Sequence, residues 1–198
     1  MTLPEDLLGL QAPLIALQDL LVRFDQRGVI IGGVASSFLG KPRLTVDIDA
    51  MFLLPVDDIP SLFQAAKEVG IEPRMETAAD FARKNRVLLL RHRVSGVNID
   101  ISLGILPFEE EMVARSVVHK VGPLALRLPT PEDLIILKAV AHRPKDLLDI
   151  QAIAESRPDL DFDRIRQWVE AFAEALDLPE LWQEIQNLLK VAPDHLEA

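Results

Sequence analysis

The spacing of the apolar residues changes several times along the chain, between helical periodicity and the alternation typical of a strand. Leucines recur at helical spacing over residues 4–27, whereas apolar and polar residues alternate over 43–54. The two patterns occur in mixed order, and no internal repeat is present. The sequence therefore predicts an α+β fold.

The first predicted elements are a helix, a strand and a second helix. Gly28 follows the helix of 4–27 as its expected left-handed C-terminal cap, and the apolar residues 29–31 form a short strand. Gly32–Gly33 then ends the strand and leads into the second helix. Such a turn brings backbone N–H groups close to a phosphate, or simply makes a tight corner between strand and helix.

Residues 43–54 are predicted to form a strand that is covered by the core on one side. The residues expected to face the core are Leu44, Val46 and Ile48. The opposite face carries Arg43, Thr45, Asp47 and Asp49.

Two further β segments are predicted at 86–94 and 97–103, joined by a two-residue turn at Ser95–Gly96. Thr130–Pro131 begins a helical C-terminal part, because a capping hydroxyl precedes proline at the first helical position. Pro144 predicts a break between two helices of that part. We therefore expect a core over 1–130 and a helical segment over 131–198 that packs on it.

Cysteine is absent and the formal net charge is -10. The composition excludes disulfides, thiolate nucleophiles and cysteine-ligated metals, and it fits a reducing cytoplasm. Neither a secretory signal nor an apolar stretch of bilayer length is found, so no membrane role is expected. Thirteen acids against four bases follow from Asp146 onward. The net charge argues against general polyanion binding.

Three aspartates are candidates for catalysis. Asp47 and Asp49 alternate on one predicted strand, about 7 Å apart at the backbone. Asp100 lies in the middle of another strand, with Ile99 and Ile101 on its opposite face. If the strands are neighbours, the carboxylates converge as ligands for Mg²⁺ or Mn²⁺, as phosphoryl and nucleotidyl transfer require. An Asp-x-Asp alone also fits a solvated surface strand.

The segment VIIGGVASSFLGKPRLTVDIDAMF resembles the signature of the polymerase-beta-type nucleotidyltransferase superfamily, in which Gly-Gly or Gly-Ser precedes Asp-x-Asp. Within that superfamily, PTPEDLIILKAVAHRPKDLLDI is most similar to the AbiEii-type toxins and related small bacterial nucleotidyltransferases. The resemblance covers roughly residues 29–150. It implies a small mixed sheet with flanking helices and a C-terminal helical segment.

The resemblance also assigns roles to particular residues. Catalytic and metal-binding roles fall on Asp47, Asp49 and Asp100, and NTP binding falls on Gly32, Gly33, Ser36 and Lys138. Possible substrate contacts are Arg43, Lys145 and Asp146. Many members have Ser or Thr where this chain has Gly33 and Val34, and Ser36 replaces that hydroxyl only if the helix turns it inward.

The function that the resemblance implies is Mg²⁺- or Mn²⁺-dependent transfer of a nucleoside monophosphate from an NTP to a hydroxyl. The acceptor would be RNA, such as a tRNA 3′ end, or a protein, and a cognate antitoxin or toxin is a possible partner. The alternative is a non-catalytic, antitoxin-like module of the same fold that binds nucleotide or protein.

Three other features have alternative interpretations. Lys138 either contacts phosphate or extends its stem from an apolar helix face, and Lys145 and Asp146 belong either to a substrate site or to a helix-start charge cluster. A basic run at 83–93 either guides a polyanion or is a solvated strand edge.

Overall fold

A computed structural model describes residues 5–190 of the 198-residue chain. Those residues form nine α-helices and seven strands, which confirms the α+β prediction. The helices are α1 (Gln11–Arg23), α2 (Gly32–Leu39), α3 (Ile59–Glu68), α4 (Ala78–Asn85), α5 (Pro107–Arg115), α6 (Pro131–Ala141), α7 (Pro144–Ser156), α8 (Phe162–Leu176) and α9 (Leu181–Lys190). The strands are β1 (Gly28–Ile31), β2 (Asp47–Phe52), β3 (Ile71–Pro73), β4 (Val87–His92), β5 (Asn98–Leu103), β6 (Val117–Val121) and β7 (Leu124–Leu128).

The chain divides into two compact units. Among the described residues, the first unit comprises 5–35 and 43–129, and the second comprises 36–42 and 130–190. The division falls within α2, whose first four residues belong to the first unit. Residue 4, where the first helix was expected to start, and residues 191–198 lie outside the described part of the chain. None of the helices over 5–190 is long and apolar enough to cross a membrane.

The first unit contains a five-stranded mixed sheet in the order β1-β2-β5-β4-β3. β2 and β5 run parallel, and the other neighbouring strands are antiparallel. One face is apolar and fully buried at Ile48, Ile99 and Leu90, while Asp49 and Asp100 lie on the other, partly exposed face. β6 and β7 form a separate two-stranded ribbon. The sheet thus separates a core face from a polar face.

The strand predicted over 43–54 begins only at Asp47. Ile48 is buried as expected, but Leu44 and Val46 are 71% and 72% exposed, so their predicted core-facing position is wrong. The physical reason is the pairing, because the ladder with β5 starts at Asp47 and the ladder with β1 starts at Asp49. The alternating pattern therefore continues beyond the hydrogen-bonded strand.

Gly28 is not a helix cap. α1 ends at Arg23, and a turn with positive φ at Asp25 and Gln26 follows it. Gly28 instead begins β1 opposite Phe52, where an added Cβ would lie 2.5 Å from the carbonyl oxygen of Met51. Glycine is needed there because the two backbones approach closely.

The connection between β4 and β5 is longer than the predicted two residues. Five residues, 93–97, separate the two strands. Gly96 has φ +73° and donates its N–H to the carbonyl of His92 at 2.8 Å. The predicted strands therefore extended too far towards the turn, because residues 93, 94 and 97 belong to the connection.

The second unit contains α6 to α9 and the segment 36–42. The N–H of Asp133 donates to the Thr130 hydroxyl at 3.3 Å, which confirms the predicted cap of α6. His142 ends that helix in the left-handed conformation and Pro144 begins α7, which confirms the predicted break. Lys41 forms a salt bridge to Glu155 on α7, so the segment 36–42 is tied to this unit.

Candidate active site

The polar face of the first unit's sheet carries three aspartates on two adjacent strands. Asp49 on β2 lies in register beside Asp100 on β5, and Asp47 precedes Asp49 by two residues. Neighbouring strands are about 4.8 Å apart, and paired residues point to the same face. The parallel pairing of β2 and β5 therefore brings together the carboxylates on which the sequence-based hypothesis depends.

The environment of Asp100 combines burial with charge. Burial raises the pKa of Asp100, the Arg74 guanidinium opposes that rise, and the nearby carboxylates of Asp49 and Asp47 raise the pKa further. The net shift is upward. The upward shift in the pKa of Asp100 is therefore led by burial, and the charges of Asp49 and Asp47 add to it against the opposing charge of Arg74.

Thr45 precedes β2 and supports its first aspartate. The Thr45 hydroxyl lies 3.3 Å from Oδ1 of Asp47 and 3.3 Å from its backbone carbonyl oxygen. A hydroxyl at this distance donates to one of these oxygens at a time and limits the rotation of the Asp47 side chain. Thr45 was placed on the polar face by the sequence but was not predicted to have this role.

The glycine turn lies against the same carboxylates. Gly32 has φ +63° at the start of α2, and a Cβ on it would collide with the Asp49 carboxylate. A Cβ on Gly33 would lie 2.6 Å from Oγ1 of Thr45 and 3.3 Å from Nη2 of Arg43. Both glycines are therefore required by the close approach of the turn to β2, and Arg43 lies beside that turn.

No three His, Asp or Glu side chains within residues 5–190 are grouped so that they alone could hold a metal ion. Mg²⁺ is usually held by one or two carboxylates together with substrate phosphates and water, and such a site does not need a complete protein cage. The donors on the polar face are hard carboxylate oxygens, and the negative charges of Asp49 and Asp47 help to raise the pKa of Asp100. In donor chemistry, Asp47, Asp49 and Asp100 fit a divalent cation.

Two of the predicted NTP-binding residues belong to the second unit, where they lie in one buried cluster. Lys138 is 4% exposed, and its Nζ lies 3.2 Å from Oδ1 of Asp146 and 2.6 Å from Oδ2 of Asp149. Ser36 donates to Oδ2 of Asp149 at 3.2 Å, so its hydroxyl belongs to this cluster. The cluster brings Ser36, Lys138 and Asp146 together within this unit.

The cluster also determines the ionisation of Asp146. Burial raises the pKa of Asp146, but hydrogen bonds and charge from Arg143 and Lys138 outweigh burial, and the pKa lies below its usual range. Arg143 Nε donates to Oδ2 of Asp146 at 2.6 Å. Lys145, in contrast, is exposed at the start of α7.

Several cations of the basic run already have partners in the protein. Arg83 pairs with Asp80, Arg91 pairs with Glu72, and Arg86 donates to the carbonyl oxygen of Leu103 at 2.9 Å. His92 is buried, and burial followed by the charge of Arg93 lowers its pKa. These contacts favour the solvated-edge interpretation over a continuous basic track.

One residue at the site was not found by sequence reasoning. Arg74 follows β3, and its Nη2 forms a salt bridge with Oδ1 of Asp100. The two residues are 26 positions apart, and only the strand order β5-β4-β3 relates them. An arginine directly after the short strand IEP was the available signal, but it did not identify a partner.

Residues 15–195 match the family described as nucleotidyl transferase AbiEii toxin, type IV TA system. The chain belongs to this AbiEii family. Its class of chemistry is therefore nucleotidyl transfer, and the chain is an enzyme of the nucleotidyltransferase class.

Solved structures agree with this assignment at the level of the fold. An antigenic nucleotidyltransferase-like protein from Paracoccidioides brasiliensis superimposes with a TM-score of 0.55 at 14% identity, covering 93% of this chain and 95% of that one. A protein from H. pylori assigned as a nucleotidyltransferase gives a TM-score of 0.55 at 16% identity, with 98% of each chain covered. Among curated proteins, no sequence matches this AbiEii chain significantly.

Proposed function

We propose that this AbiEii-family chain transfers a nucleoside monophosphate from an NTP to a hydroxyl acceptor at the polar face of the first unit's sheet. The observation that supports it best is the register of β2 and β5, which puts Asp49 beside Asp100, with Asp47 on the same face. The Gly32 turn lies against Asp49. A carboxylate pair next to a helix N-terminus suits a metal-bound triphosphate.

Each part of this face has a proposed task. Asp47 and Asp49 hold the divalent cation, Mg²⁺ or Mn²⁺, and Gly32 and Gly33 let the start of α2 approach the phosphates. The cation, when bound, offsets the charge of the triphosphate and polarises its α-phosphorus. Asp100 serves as a further ligand or accepts the proton of the acceptor hydroxyl.

The balance of the reaction follows from these tasks. The acceptor oxygen forms a bond to the α-phosphorus, and the bond from that phosphorus to the bridging oxygen of the β-phosphate breaks. Pyrophosphate leaves, and the hydroxyl proton passes to Asp100 or to water. Placing Asp100 next to Asp49 would let one carboxylate face bind the nucleotide and orient the attacking hydroxyl.

The predicted roles of the second unit remain proposals of a different kind. For Lys138 to contact a phosphate, its ammonium would have to exchange a buried carboxylate partner for the ligand. We propose that the acceptor is RNA or protein and that the enzyme acts as the toxin of a type IV pair, in line with its family description. A cytoplasmic location is part of the same proposal.

The experiment is transfer of α-³²P label from each of the four NTPs, with Mg²⁺ or Mn²⁺, to total bacterial tRNA and to lysate protein. We expect label on one acceptor class with the wild type and none with Asp47→Ala/Asp49→Ala. The opposite result is an absence of label while the wild type still binds NTP. It would contradict transfer and favour the non-catalytic binding module.

A further inference from the structure

Arg74 lies at the end of a row of residues that crosses the first unit's sheet. Asp49 on β2 pairs with Asp100 on β5, and Asp100 pairs with Leu89 on β4. The N–H of Arg74 donates to the carbonyl of Leu89 at 3.0 Å, so Arg74 is the next position in this row. Hydrogen bonding of the sheet therefore fixes where the Arg74 side chain starts.

The distance across this row suits an arginine. Arg74 and Asp100 are separated by β4, which puts their backbones about two strand spacings, or roughly 10 Å, apart. The Arg74 side chain spans β4 and forms a salt bridge through Nη2 with Oδ1 of Asp100. A side chain much shorter than arginine would not reach that oxygen.

The Arg74–Asp100 salt bridge sets the direction of both side chains. Within residues 5–190, Arg74 is the only hydrogen-bond donor to the Asp100 carboxylate, and Asp100 is the only acceptor for the Arg74 side chain. Nε of Arg74 is buried and has no hydrogen-bond partner in this part of the chain. The guanidinium is thus directed to Oδ1, and Oδ2 of Asp100 accepts no hydrogen bond from the described protein.

If the Arg74–Asp100 salt bridge only stabilised the sheet, its loss would change the stability of the protein little. Both side chains are partly exposed, and pairs of this kind contribute little to stability. Partners that orient metal ligands, in contrast, have large effects on metal affinity and on rate. The position of Arg74 in the row of Asp49 and Asp100 points to the second kind of role.

We propose that Arg74 is a positioning residue that holds Oδ1 of Asp100, so that Asp100 and Asp49 can bind the same divalent cation. This inference rests on the proposed function. It adds to the site a residue that contacts neither nucleotide nor cation. Its effect is to reduce the rotation of the Asp100 side chain before the cation arrives.

The test compares four full-length proteins: wild type, Arg74→Met, Arg74→Lys and Arg23→Met. Arg74→Met removes the guanidinium but keeps an extended side chain, and Arg74→Lys restores a cation with shorter reach. Arg23→Met is the matched control, because it removes another arginine–carboxylate pair of the same unit, to Glu68 on α3. Mn²⁺ affinity is measured from the electron paramagnetic resonance signal of free Mn²⁺, followed by Tm, kcat and the KM for NTP.

We expect Mn²⁺ binding to weaken about 10-fold in Arg74→Met and kcat to fall about 10- to 100-fold, with the KM for NTP within about 3-fold of wild type. Arg74→Lys should lie between the two, and Arg23→Met should match wild type. The Tm of both Arg74 variants should stay within about 4 °C of wild type, because the pair is partly exposed.

Unchanged or tighter Mn²⁺ binding in Arg74→Met would overturn the inference, even if kcat fell, since Arg74 would then not position a cation ligand. A large loss of Tm in both Arg74 variants would also overturn it, because the role would then be structural. A wild type that neither binds Mn²⁺ nor transfers label contradicts the proposed function itself. A wild type that does both, together with an equivalent Arg74→Met, removes only the inference about Arg74.

Discussion

At the scale of single residues, glycine and aspartate are required at the site for reasons that can be separated. Glycine is required at position 32 for two reasons: its φ is +63°, and a Cβ there would collide with Asp49. Gly70 has φ +79° but open space around it. The comparison of these two glycines separates backbone strain from crowding of the carboxylate.

Gly32→Ala is therefore expected to lose more unfolding free energy than Gly70→Ala, and to lose activity as well. The strain of a left-handed alanine costs about 1–2 kcal/mol at either position, and only at position 32 is the collision with Asp49 added. Thermal or urea unfolding measures the loss of stability, and label transfer measures activity. Equal stability losses, or full activity in Gly32→Ala, would show that the turn does not press on Asp49.

The second residue-scale prediction concerns pH. Because the folded pKa of Asp146 lies below its unfolded value of about 3.9, its ionised form contributes stability that is present above that pH and is lost as pH falls through the folded pKa. The free-energy gap between wild type and Asp146→Asn should therefore be constant above pH 5 and shrink below pH 4. Urea titrations across that range measure the gap, and a gap independent of pH would contradict the assignment.

At the scale of elements, the ends of helices were easier to predict than the pairing of strands. Thr130 and Pro144 act within one helical turn, so the sequence alone placed the start of α6 and the break before α7. The start of β2 depends on where β1 ends and β5 begins, and Val46 was misassigned for that reason. Arg74 was missed because its partner is defined by strand order.

The site was likewise predictable where it depends on local pattern, and not where it depends on which elements pair. Asp47 and Asp49 share a face by simple alternation, and their register with Asp100 was stated only as a condition that the strands be neighbours. The structure meets that condition. The burial of Lys138 between two carboxylates could not be read from spacing, because α6 and α7 meet only after the turn at His142.

The cluster between α6 and α7 gives an element-scale prediction. Lys138→Met leaves Asp146 and Asp149 buried without their shared ammonium, which should cost about 3–5 kcal/mol of unfolding free energy. Arg166→Met is the control within the second unit. It removes an exposed pair with Glu170 and should cost no more than about 1 kcal/mol.

Urea unfolding of both variants checks this difference. A loss below about 1 kcal/mol in Lys138→Met would mean that the buried carboxylates find other partners. In that case the ammonium would be available for exchange with a phosphate at little cost, and the predicted role in NTP binding would gain support.

At the scale of the whole molecule, charge limits how an acceptor is recognised. The net charge is -10, and two arginines of the basic run, Arg83 and Arg91, already pair with carboxylates. Affinity for nucleic acid in general depends on many unpaired cations that contact phosphates. If RNA is the acceptor, its recognition should depend on shape or end structure more than on backbone charge.

The wild type should accordingly show no binding to a random 20-nucleotide RNA below about 10 µM at 150 mM salt. Fluorescence anisotropy measures this directly. Micromolar binding with a steep salt dependence would contradict the expectation and would indicate a basic surface that the described contacts do not account for.

Pyrophosphate release tests most directly whether Asp47, Asp49 and Asp100 form a nucleotidyl transfer site. NTP, Mg²⁺ and the labelled acceptor class are supplied to wild type, Asp49→Asn and Asp80→Asn, the last being an exposed aspartate paired with Arg83 in the same unit. We predict acceptor-dependent pyrophosphate release by wild type and Asp80→Asn, and a fall of at least about 1,000-fold in Asp49→Asn. Equal release by wild type and Asp49→Asn would contradict the account.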